Sequence, residues 1–200
     1  MWRHLFSINL LKTGTLLQLV KKYKSVLRFI LIFLGSYFIF SLFYNIYLDL
    51  SQNGKYYPDF FTHLVALQSE ALIESLGYTS KITPHPNEPS MMLYLNNYFL
   101  VRIVEGCNSI SIIILFISFV LSFFSNYRDT LLYILGGAVI VYSMNVVRIA
   151  ILSIGIYEYP NHAEFLHSIV FPLIIYGTVF ILWIIWVRIF SKTTAHESKV

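Results

Sequence analysis

Four apolar runs, parted by short polar stretches, constrain this chain more than any other feature in it. Crossing about 30 Å of hydrocarbon takes roughly 20 apolar residues at 1.5 Å each. Residues 29–48, 131–157 and 168–189 reach that length, and 109–124 falls slightly short of it. Apolar residues make up 57% of the chain and charged ones 12%, half the ~25% share usual in soluble domains. A water-exposed globule cannot bury that excess. The expected class is an all-α membrane protein with about four transmembrane helices and a small extracytoplasmic amphipathic helix and β-hairpin.

Charge placement sets the expected orientation. Lys12, Lys21, Lys22, Lys24 and Arg28 precede the first run, Arg128 lies between the second and third, and Arg188 and Lys192 follow the fourth. Positive residues gather on the cytoplasmic side of spans, so the N-terminus, the second connection and the tail are expected inside. Residues 1–28 then form a cytoplasmic, partly amphipathic segment, whose stretch 2–20 suits a helix lying on the inner surface. Residues 29–190 form the membrane domain, with an outer segment over 49–106, and 191–200 a cytoplasmic tail. The first run is too long for a signal-peptide core and lacks a small-residue cleavage site, so it is expected to remain. The net charge of +4 does not point to nucleic acid, since the cations flank apolar runs instead of forming a basic stripe.

Within the outer segment, Pro58-Asp59 opens a helical pattern. Phe61, Leu64, Val65, Leu72 and Leu76 fall mostly on one face, and Gly77 can close the helix. Such a helix is expected to rest on the outer leaflet. Residues 83–89, with three prolines, read as a loop, and strands over 92–95 and 98–104 flank Asn96-Asn97 as a hairpin. That hairpin leads directly to Gly106-Cys107 and is expected to hold substrate, because a hairpin edge can take up an extended peptide.

Three side chains could carry chemistry. Cys107 is the one cysteine, so no intrachain disulfide or cysteine-cluster zinc site is available. It stands at the outer start of the second run, where free helix N–H groups favour a thiolate, although Glu105 opposes that charge. A lone cysteine in a membrane helix is most often small apolar filler. Arg148 sits in the third run, about 13 Å below its outer end if the helix reaches Tyr157. An arginine in hydrocarbon faces a bundle interior or a wet cavity, unless the helix ends early and the guanidinium snorkels. His167 directly precedes the fourth run; taken singly it is a polar tip at an interface.

Together they mean more. With the orientation above, Cys107, Arg148 and His167 come from three different spans and meet at the outer face. A thiol nucleophile, an imidazole that moves protons and a cation for the developing oxyanion are the parts acyl transfer needs. His162, Glu164 and His167 offer metal-ligand types, but their offsets do not share one helical face, and no His-Glu-x-x-His motif exists, so no metal is expected. His63 and His85 read as surface residues. No Gly-x-Ser-x-Gly element or Gly-rich phosphate loop appears, and no cofactor is expected.

The runs Val104-Glu105-Gly106-Cys107-Asn108-Ser109-Ile110-Ser111, Asn145-Val146-Val147-Arg148-Ile149-Ala150 and Leu166-His167-Ser168-Ile169-Val170-Phe171-Pro172 resemble, in order and spacing, the Cys, Arg and His motifs of the exosortase/archaeosortase family. The closest likeness is to its compact form, and it covers about residues 60–186. The resemblance implies a membrane-embedded cysteine transpeptidase of the bacterial cytoplasmic membrane, with its active site on the outer side. Its partners would be the lipid bilayer and membrane-anchored proteins bearing a C-terminal sorting tail: a short motif, a membrane helix and a basic end. The enzyme would remove the tail and pass the new carboxyl end to an acceptor. Cys107 would be the nucleophile, His167 the general acid/base and Arg148 the oxyanion or orienting group. Larger members have more spans, and many carry other residues after the cysteine; the likeness names neither recognition motif nor acceptor. A non-catalytic membrane assembly or transport-accessory protein stays open on the residues alone, with Arg148 as a bundle contact and Cys107 as filler.

Overall fold

The computed structural model describes residues 21–51 and 56–197; the surface helix expected over 2–20 lies outside them. In chain order come α1 (Lys24–Ser51), α2 (Phe60–Ser75), β1 (Ser80–Pro84), β2 (Ser90–Leu95), β3 (Tyr98–Val104), a 3-10 turn (Glu105–Cys107), α3 (Ile110–Ser122) and α4 (Tyr127–Glu158). A 3-10 turn (Pro160–His162), one α turn (Ala163–Phe165) and a π-helical segment (Leu166–Val170) then run into α5 (Phe171–Glu197). Among the described residues, three helical stretches are long and apolar enough to cross a membrane: Lys24–Ser51, Tyr127–Glu158 and Pro160–Arg188.

The second expected span is shorter than the rest. α3 has 13 residues, about 20 Å of rise, because the chain at its head is spent on the Cys107 turn and on Ser109, whose φ is +64°. It stays inside the bundle, flanked by α1, α4 and α5. Phe29 of α1 packs its ring against Phe119 of α3 and against Phe123 just after it. Trp183 of α5 stacks on Phe119 at 4.4 Å, and the Tyr133 hydroxyl of α4 donates to the Leu182 carbonyl at 2.6 Å. Gly137 lets α3 and α4 approach closely: a Cβ there would lie 2.2 Å from Cζ of the fully buried Phe116.

Two apolar cores are stacked along α4. The lower one gathers Phe116, Val120, Val141, Ile175, Val179, Leu182 and Trp186 from α3, α4 and α5. The upper one joins Val65, Ala66 and Ile73 of α2, four residues of the sheet, and Ile149 and Ala150 of α4. With 32 residues, α4 rises about 48 Å, well beyond a hydrocarbon layer. Its C-terminal third therefore forms a wall of the lobe made by α2 and the sheet. Tyr78, just after α2, donates to the Glu158 carboxylate at 3.0 Å, and that bond pushes the phenol's pKa up.

Asp59 caps α2 as its sequence suggests, Oδ1 accepting from the Phe61 and Thr62 N–H groups at 2.9 and 3.1 Å. Gly77, at φ +93°, ends the helical segment. The buried face matches the expected one in part: Val65 is buried and Leu72 packs against the upper core, but Thr62, Ala66, Ser69 and Ile73 also face inward and Leu76 is exposed. The reason is that α2 packs against α4 and the sheet, so protein and not lipid covers its inner stripe.

The sheet is antiparallel in the order β1-β2-β3. Asn96 and Asn97 take φ of +49° and +68°, the pair of left-handed residues that a two-residue hairpin turn needs. The sequence does not mark 80–84 as a strand, and because β1 runs to Pro84 the loop begins two residues after position 83. Pro84 ends β1 on an edge of the sheet, where a missing N–H leaves no ladder bond unmade.

Candidate active site

Cys107 closes the 3-10 turn between β3 and α3 and is free and half-buried. Its surroundings are held from three helices. Asn145 of α4 donates Nδ2 to the Cys107 carbonyl at 2.7 Å. Asn108, 1% exposed, donates Nδ2 to the Tyr44 hydroxyl at 2.7 Å and to Thr62 Oγ1 at 3.1 Å, while its Oδ1 accepts from the Ile110 N–H at 2.9 Å. An amide has two N–H donors and one carbonyl acceptor, so every group of Asn108 is used. These bonds tie the cysteine turn to α1, α2 and α4 at once.

His167 belongs to the π-helical segment, and the cause of that segment is local. Pro172 has no N–H to give to Ser168 and its ring would strike that carbonyl, so the preceding turn widens. The Phe171 N–H accordingly reaches back five residues to the Leu166 carbonyl. Widened turns of this kind recur at functional sites. At the foot of the segment Leu166 Cδ1 would lie 3.0 Å from a Cβ on Gly155, so this glycine sets how close the His167 segment comes to α4.

Cys107 and His167 line the same cleft, about 480 Å³, between β3, the outer part of α4 and the turn leading into α5. Leu100–Val104, Ile149, Leu152, Ile156, Ala163 and Phe171 complete its lining. Arg148 stands in the wall behind Phe171: its Cζ lies 3.4 Å from the centroid of that ring. The other partner of Phe171 is His167, stacked at 5.5 Å between centroids and 12° between planes. One aromatic ring thus links the guanidinium to the imidazole.

Arg148 is 5% exposed. Among the described residues no carboxylate lies within ion-pair distance of it, and its Nε has no hydrogen-bond partner. A buried cation with a face of Phe171 on one side and an unused N–H can stabilise negative charge that develops near it.

α4 runs on to Glu158, so Arg148 lies about 15 Å below that end of the helix; it follows Asn145, which reaches the Cys107 turn ahead of α3, and sits at the junction of the two cores. Asn108, Asn145 and Phe171 lie in the three sequence runs singled out above but carried no role there. An asparagine inside an apolar helix is a signal that could have marked Asn145. Among the described residues, no three His, Cys, Asp or Glu side chains gather as metal ligands.

The fold defines a helical membrane protein with a lobe of one helix and a three-stranded sheet, and a cysteine cleft where the two meet. A family model described as Transmembrane exosortase (Exosortase_EpsH) matches residues 2–187, and the chain belongs to that family. No curated protein sequence and no solved structure matches it.

Proposed function

We propose that this protein is a membrane-embedded cysteine transpeptidase that removes C-terminal sorting tails from exported proteins at the outer face of the bacterial cytoplasmic membrane. The observation that carries the reading is the shared cleft of Cys107 and His167, with Arg148 joined to it through Phe171. Family membership supports it.

In the first step His167 takes the Cys107 thiol proton as the sulfur bonds to the carbonyl carbon of the scissile peptide. Arg148 stabilises the oxyanion, the C–N bond breaks, and His167 gives its proton to the departing amine of the tail. The upstream protein is left as a thioester on Cys107. In the second step the acceptor nucleophile loses a proton to His167 and attacks the thioester carbonyl. The C–S bond breaks, His167 returns that proton to the sulfur, and the Cys107 thiol is restored. Water in place of the acceptor gives hydrolysis.

The experiment uses the same cell's small exported proteins that end in an apolar span and a basic tip. Cys107→Ala, expressed at normal level in the membrane, is expected to leave such a protein at full length. Normal tail removal by that variant would leave only a non-catalytic role.

A further inference from the structure

We propose that the substrate binds as a fourth strand on the free edge of β3, running parallel to it, with the scissile bond at the Cys107 end. The inference rests on the transpeptidase reading above and adds how and in which direction the peptide is held.

In the order β1-β2-β3, β3 has one neighbour. Its ladder with β2 runs from Leu95↔Tyr98 to Ser90↔Val104. Among the described residues no other main-chain or side-chain hydrogen bond engages the β3 backbone. An antiparallel neighbour satisfies only the main-chain groups on its own side, so the outer row of N–H and C=O groups of β3 is unpaired. Such a row is a template for an incoming strand.

The cleft lies on that edge. Side chains of a strand alternate between its faces, so a cavity against one face touches every second residue. Here five consecutive residues, Leu100–Val104, line the cleft that also holds Cys107 and His167. At about 3.3 Å per residue they offer roughly 13 Å of strand, room for four substrate residues before the cut. The opposite wall is apolar, with Ile149, Leu152, Ile156 and Phe171, and it suits apolar side chains. Arg102, the charged side chain of the five, is engaged with Glu88.

The direction follows from topology. β3 runs from the outer turn at Asn96-Asn97 toward the head of α3. A substrate whose C-terminal tail crosses the membrane with its basic end inside also runs from outside toward the membrane. Two chains heading the same way, side by side, form a parallel pair. Substrate residues before the cut then lie along β3, and the tail helix continues downward past Cys107.

Cys107 is the single cysteine of the chain, so Cys107→Ala gives a cysteine-free enzyme that also retains uncleaved substrate. In this background Leu100→Cys, Arg102→Cys and Val104→Cys are each paired with single cysteines placed in the full-length tailed protein that accumulates. Crosslinking with a short bis-maleimide is then read by mass. Val104→Cys is expected to capture the residue just before the cut, and Leu100→Cys one about four positions further upstream. The reverse order overturns the parallel assignment, and absence of crosslinks to all three positions overturns strand addition. Continued tail removal in the Cys107→Ala background would instead sink the transpeptidase reading itself, so the two failures are distinct.

Discussion

Arg148 and Phe171 are in direct contact, the guanidinium carbon 3.4 Å from the ring centroid, across the gap between α4 and the start of α5. Because the same ring stacks on His167, Phe171 positions both groups the proposed chemistry needs. A desolvated cation over an aromatic face is worth about 2 kcal/mol, or roughly 30-fold in rate if spent on orientation. Phe171→Leu is therefore expected to slow tail removal by about that factor at unchanged protein level, and Phe171→Trp to keep most of it. The rate of conversion of full-length to cleaved substrate checks this.

Asn108 predicts a graded pair of effects. Asn108→Ala strands the Tyr44 and Thr62 hydroxyls beside the cysteine turn, and a buried group left without its partner costs about 1–3 kcal/mol. Tyr44→Phe removes one of those bonds and is expected to cost less. Thermal unfolding in detergent should rank wild type above Tyr44→Phe above Asn108→Ala, with tail removal falling in the same order.

Gly137 is expected to admit no side chain while Phe116 keeps its place. The clash of a Cβ with the Phe116 ring has overpacking costs of about 1–3 kcal/mol. Gly137→Ala should lower the unfolding temperature, and Phe116→Leu in the same chain should recover part of the loss. That non-additivity is the sign of a direct contact.

The hairpin turn gives a prediction on binding. Asn96 and Asn97 both hold positive φ, which β-branched residues resist. Replacing both by valine should disturb β3 and weaken substrate processing, while labelling of Cys107 by a small thiol reagent persists. Unchanged processing would show that β3 does not hold substrate.

Much of this architecture is legible in the residues themselves. Long apolar runs disclose α1, α4 and α5, Asp59 and Gly77 bracket α2, and Asn96-Asn97 gives the hairpin. What escapes is tertiary. β1 is short and ends in proline, so nothing local distinguishes it from loop. The inward face of α2 depends on α4 rising past the membrane, which a hydropathy run cannot reveal. Cys107, Arg148 and His167 stand out as chemistry out of place in apolar surroundings. Asn108, Asn145 and Phe171 do not, because their roles consist of contacts between residues far apart in the chain.

The central claim is a thioester between substrate and Cys107, and hydroxylamine tests it most directly. This nucleophile attacks a thioester carbonyl and leaves a hydroxamate on the released chain. Solubilised enzyme incubated with a full-length tailed protein and hydroxylamine is predicted to yield cleaved protein ending in a hydroxamate, seen by mass spectrometry, and none with Cys107→Ala. Cleaved protein with a hydroxamate-free end at saturating hydroxylamine, or equal cleavage by Cys107→Ala, would contradict it.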